Sequence, residues 1–278
     1  MAVSPTDRNE SLQCVACALR QTEGQDITEQ DLTNALLDWD MGSLESSVVN
    51  AIGITGEMEN ELKSWNRRWS SMEGSRSRQT KQREYDNWIK SSILVANKLA
   101  NSPYIDNTGY KFFRQDEFPE YKNKALEFAQ DIKRNTNNAV MKAAYNASVG
   151  SGWKDKWNPS DILAVKSAPS VRRRLANFDA THVSKESKKL RKMNMENKKF
   201  RLDNKAKKQL VVMEEMDNLY EYNKLIDDLC DSKECVGISL KLQLGSDKVP
   251  IKKFDHKDIQ GLKDAMMMEV KIGDIEWK

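Results

Sequence analysis

Trp157-Asn158-Pro159-Ser160-Asp161-Ile162-Leu163-Ala164-Val165 passes from turn chemistry into a short apolar run, with a carboxylate at the point of entry. The run is the length of a strand. A second strand is expected downstream over Val236-Gly237-Ile238-Ser239-Leu240-Lys241. There Val236, Ile238, Leu240, Leu242 and Leu244 alternate with Gly237, Ser239, Lys241 and Gln243, so Ser239 and Lys241 are expected to share a face. A lysine inside a strand whose other side is aliphatic either faces solvent or is held by acids. Asp161 is the economical partner. Two readings of Asp161 stand at this point: the cap of an Asn-Pro-Ser-Asp turn, or a carboxylate opening into a cleft at the sheet edge.

Upstream of this pair, residues 1–150 read as helix and loop and form the first expected region. Ser4-Pro5-Thr6-Asp7 is a helix start, with proline and acid where the orphan N–H groups and the dipole favour them. Thr28 with Asp31 forms a capping box in its short-acid variant, and Leu32, Ala35 and Leu36 follow at helical spacing. Further helices are expected over 57–69, 79–100, 117–136 and 138–148, with loops at 70–78 and 101–110. The second region, 151–278, is expected to carry a small mixed sheet interrupted by a basic helical insertion at 166–210. A helix over 210–229 leads back into the second strand, and a last strand is expected over 269–277. The fold class is thus α/β in the broad sense, more closely α+β.

Charge is segregated along the chain. Residues 166–208 hold fifteen Lys and Arg against four acids, a net +11 in a chain whose total is +3. Such a block is the footprint of an arm that binds a polyanion, because each neutralised phosphate releases condensed counterions. Few aromatics interleave, which implies contact with phosphate more than with bases. A solvated helical face has the same composition. The residues expected to hold the backbone are Arg172, Arg173, Arg174, Lys188, Lys189, Arg191, Lys192, Lys198 and Lys199.

With 278 residues and seven each of Trp, Tyr and Phe, the chain can bury a sizeable core. No apolar run approaches about 18 residues and no secretory signature opens the chain, so a soluble intracellular protein without a membrane partner is expected. Cys14, Cys17, Cys230 and Cys235 form two close pairs, but the first lies in a helical pattern, and buried reduced thiols are favoured over a zinc site. His182 and His256 have no partner motif. No phosphate-cradling glycine loop, nucleophile elbow or dinucleotide fingerprint is present.

A Pro-x-Asp strand followed by a strand ending in x-x-Lys resembles the core of the PD-(D/E)xK nuclease superfamily. Members hold a divalent metal with acids and steady the attacking water with the lysine. The resemblance implies a restriction-endonuclease-like sheet, Mg2+ or Mn2+ as cofactor, Asp161 as metal ligand and Lys241 as the water-orienting or charge-stabilising residue. The family pattern has Asp or Glu two residues before the lysine, and Ser239 occupies that slot here. A migrated acid would then complete the site. Glu10 on the opening helix is preferred as metal ligand over Glu214, Glu215 and Glu234, and Ser239 is left as a supporting donor. Trp157-Asn158-Pro159-Ser160-Asp161-Ile162 with Gly237-Ile238-Ser239-Leu240-Lys241 is also similar to uncharacterised tailed-bacteriophage proteins bearing Trp-Asn-Pro-Ala-Asp-Ile-Trp and Gly-Ile-Ser-Leu-Lys-Lys. The expectation is a phage nuclease acting on DNA in the host cytoplasm or virion. The alternatives are a catalytically silent virion or packaging protein that binds DNA or a capsid partner, and a helical nucleic-acid-binding protein.

Overall fold

A computed structural model describes residues 5–53, 60, 62, 76–135, 160–178 and 204–239. The elements in chain order are α1 (Pro5–Glu23), α2 (Glu29–Met41), α3 (Ser46–Ala51), α4 (Arg76–Ala100), β1 (Lys111–Arg114), a 3-10 turn (Gln115–Glu117), α5 (Glu120–Asn135), β2 (Ile162–Val165), α6 (Ala168–Ala176), α7 (Asn204–Asp231) and β3 (Cys235–Ile238). The architecture is α+β, with a three-stranded sheet in the order β1-β2-β3. Both ladders are antiparallel: Arg114 faces Ile162, and Ile162 faces Ile238. A mixed sheet was expected; the parallel element among the described residues is the single bridge between Ile52 and Phe112.

The chain forms two compact units, each assembled from segments distant in sequence. The first comprises Met1–Pro119, Ser160–Val171 and Leu229–Lys252; the second comprises Glu120–Pro159, Arg172–Asp228 and Lys253–Lys278.

In the first unit α1 is the central element. Its residues Leu12, Cys14, Val15, Ala16, Ala18 and Leu19 are all buried, so it is apolar nearly all round, as a core helix must be. It packs against α4, α2, α3, β1 and β2. Phe112, Ile162, Ala164, Val236 and Ile238 from the sheet join the same core as α1. The alternate residues Phe113, Leu163, Val165 and Cys235 are buried as well. A sheet buried on both faces explains why β1 escapes the sequence reading, which expected helix and loop there. Lys-Phe-Phe-Arg has no polar–apolar alternation to find.

Side-chain amides fasten the loops. Asn97 on α4 accepts from Ile27 N–H and donates to Ile27 O, both at 3.0 Å. Gln21 on α1 does the same for Tyr110, accepting at 2.9 Å and donating at 3.0 Å. Each pairs a backbone N–H and C=O that would otherwise be left without a partner. The capping box at Thr28 is present, with Thr28 Oγ1 and Asp31 bonding each other's backbone N–H. At the end of α2, Gly42 takes the left-handed conformation of a helix stop.

In the second unit Phe128, Phe178 and Tyr222 form an edge-to-face trio, with centroids 5.1–6.3 Å apart. Tyr222 Oη donates to the carbonyls of Glu120 and Tyr121, at 2.9 and 3.1 Å. The ring body is thus buried, as are Ala125, Leu175, Leu219 and Ile226 of the same unit, while its polar tip finds a partner.

Candidate functional site at the end of the sheet

One end of the sheet gathers the C-terminal end of β1, the N-terminal end of β2 and the C-terminal end of β3. Asp161 stands at this end. Gln115 N–H donates to Asp161 O at 2.9 Å, extending the β1–β2 ladder by one step. On the other side Asp161 N–H donates to Ile238 O, also at 2.9 Å, although Ile162 is the register partner of Ile238. Asp161, just ahead of β2, and Ile162, its first residue, therefore both oppose Ile238 of β3. That is a β-bulge, a device that breaks the alternation and re-aims a side chain, and it recurs beside active sites. The Asp161 carboxylate meets Ser239, whose Oγ donates to Oδ2 in a long hydrogen bond of 3.4 Å.

At the same end of the sheet is a buried cation. Arg114, the last residue of β1, has a side chain only 5% exposed; its Nε lies 3.5 Å from Glu10 Oε2 and its Nη1 3.9 Å from Glu117 Oε1. Two carboxylates around one guanidinium spread the cost of burying the charge. The Glu10 carboxylate, 13% exposed, is thus engaged by an arginine from β1. Arg114 is the residue that sequence reasoning missed. Nothing in Lys-Phe-Phe-Arg marks a buried charge, and the Glu10 carboxylate that Arg114 meets comes from α1, far away in the sequence.

Burial holds three of the thiols in the first unit toward the protonated form. Cys14 is buried, and desolvation first, with Cys17 and Glu10 adding, pushes its thiol well above the usual range. Cys17 is raised to about 12 by burial, against a lowering hydrogen bond from Gln13. Burial also raises Cys235, with Cys230 and Glu234 adding to it. No disulfide joins the four cysteines, and the buried thiols of Cys14, Cys17 and Cys235, held away from the thiolate form, are poor nucleophiles.

Of the residues singled out from sequence, Asp161 and Ser239 meet directly, and Glu10 is held by Arg114, the register partner of Ile162. Glu234 begins the turn into β3, with its carbonyl accepting from Lys166 N–H at 3.0 Å, so it stands at the opposite end of that strand from Ser239. Lys241 lies outside the described residues, as do Lys188, Lys189, Arg191, Lys192, Lys198, Lys199, both histidines and the strand expected over 269–277. Arg172, Arg173 and Arg174 lie on α6, where Arg173 is exposed and Arg172 Nε approaches Glu120 Oε2 to 3.9 Å.

Among the described residues no group of three or more His, Cys, Asp or Glu gathers around one point, and no helix is long and apolar enough to cross a membrane. The donor chemistry at Asp161 still suits a hard cation. Mg2+ keeps several waters and is commonly bound through one or two carboxylates plus substrate phosphates. No protein-family model, curated protein or solved structure matches the chain.

Proposed function

We propose that this chain is a phage-encoded nuclease of PD-(D/E)xK type that hydrolyses DNA phosphodiester bonds with Mg2+ or Mn2+. The observation that carries the reading is the Asp161–Ser239 contact at a β-bulge. The described parts of the two motifs, residues 160–165 and 237–239, meet at one end of the sheet, and Lys241, two residues beyond Ser239 in the sequence, is the lysine the reading assigns to the site. Asp161 is the residue that would hold the cation. When bound, the cation supplies Lewis-acid stabilisation of the charge that develops at phosphorus. The reaction consumes one water: its oxygen bonds to phosphorus, the bond to the leaving sugar oxygen breaks, and the proton lost by water is balanced by one gained at that oxygen. Lys241 orients the water or offsets the developing charge, and Ser239 restrains the Asp161 carboxylate.

Glu10 enters this reading in a modified role. Its carboxylate is paired with Arg114, which fixes its position. Ligation of the cation by Glu10 then requires it to share charge with that arginine. The basic stretch that begins at Arg172 holds the phosphate backbone without reading bases.

The second reading is a catalytically silent phage protein that binds DNA or a capsid partner. Ser239 in the acidic slot and the arginine on Glu10 favour it. Plasmid cleavage separates the two. Purified protein with supercoiled plasmid and Mn2+ is expected to give nicked and linear products, with Asp161→Asn and Lys241→Ala lowering the rate by roughly a hundredfold or more while DNA binding persists. DNA binding without any cleavage by the wild type would select the silent reading.

A further inference from the structure

Gln115 follows β1 directly, and its backbone N–H bonds to Asp161 O at 2.9 Å, so the two residues stand side by side across the ladder. The backbone of Gln115 is fully used, since its carbonyl accepts from Phe118 N–H at 3.1 Å. The side chain differs. It is 4% exposed, and its Nε2 is buried with no acceptor among the described residues. A buried N–H without a partner is strongly disfavoured. Such groups are rare in folded proteins unless a water or ligand completes them. The adjacent charged group offers no remedy, because Arg114 brings donors, and its two carboxylate neighbours Glu10 and Glu117 are already turned to it. A methionine would fill the same volume without an orphaned donor.

We propose that Gln115 Nε2 donates to a water held beside Asp161, and that this is the water the hydrolysis consumes. The inference rests on the nuclease reading above. A buried water needs two to four polar partners. Here it accepts from the Gln115 amide and donates to the Asp161 carboxylate, which leaves its second lone pair for phosphorus. Gln115 thereby fixes where the oxygen sits, and Asp161 fixes which way its protons point.

The test uses the full chain, wild type and Gln115→Met, in two measurements. The first is a crystal structure at a resolution that shows water. A water oxygen within about 3 Å of Nε2 is expected, whereas an Nε2 packed dry or against a protein acceptor overturns the proposal. The second is cleavage kinetics on plasmid. Gln115→Met is expected to lower kcat by roughly a hundredfold, with KM unchanged and the urea midpoint equal or higher. An unchanged kcat overturns it. Should Gln115→Met fail to fold, Gln115→Glu, which replaces the donor by an acceptor, is measured the same way with the same expectation. A wild type that holds the water but cleaves nothing removes the nuclease reading and the attacking role together, and is told apart from failure at Gln115 by the density.

Discussion

Asp106 holds two lysines with one carboxylate. Lys233 Nζ lies 2.9 Å from Oδ1, and Lys166 pairs with Oδ2. Lys166 also sits over the Tyr110 ring, 5.5 Å from its centroid. Lys233 takes a left-handed backbone, φ 57°, at the stop of α7, where glycine is the usual occupant. Its side chain reaches Asp106, which no glycine does. The hydrogen bonds from Lys166 and then Lys233 hold the Asp106 carboxyl below its ordinary value, and the same bond raises Lys166. A carboxyl depressed in the folded state adds stability that is present above its unfolded pKa of about 3.9 and is lost as pH falls through the lower folded value. The raised lysine adds stability present below its unfolded pKa and lost as pH rises through the folded one. Urea unfolding is therefore expected to show wild type losing more stability than Asp106→Asn between about pH 6 and pH 3. High salt should narrow the gap, because the cluster is exposed and screened. Equal losses in the two proteins would mean the cluster contributes nothing.

At the scale of the element, β1 is positioned by a glycine. Gly53 N–H donates to Phe112 O at 2.8 Å, and a Cβ at Gly53 would run into the Phe113 ring. Close approach of two backbones is the reason for a glycine here. Gly53→Ala is expected to destabilise the protein by roughly 1–3 kcal/mol, read as a lower urea midpoint at unchanged slope. A midpoint equal to wild type would show that Phe113 can move aside without cost. The same element shows where the sequence was and was not legible. The start of α1, the capping box at Thr28, and helices α4 and α7 carry local signals that tertiary packing does not override. β1 carries none, because three of its four side chains are buried. The bulge at Asp161 has no code at all in residue identity. It is a backbone hydrogen-bond irregularity, visible only once Ile238 is seen to accept from Asp161 and to face Ile162.

Across the whole molecule, the sequence pairs Asp161 with Lys241, which lies outside the described residues; what the structure adds is the contact of Asp161 with Ser239, 78 residues away, while Arg114 and Gln115 were not legible, because their burial depends on what packs over them. The basic stretch makes a separate claim about binding. If Arg172, Arg173 and Arg174 neutralise phosphates, DNA affinity falls steeply with salt. Replacing all three by alanine should then flatten the log–log salt slope by about 0.9 for each phosphate left without its arginine. An unchanged slope would place the DNA elsewhere.

Anomalous scattering from crystals of the full chain soaked in Mn2+ asks whether Asp161 holds a cation. A peak about 2.0–2.2 Å from the Asp161 carboxylate, absent from Asp161→Asn crystals, is the predicted result. A well-ordered Asp161–Ser239 pair with no peak beside it, while Mn2+ binds elsewhere on the chain, would rule out Asp161 as the metal ligand.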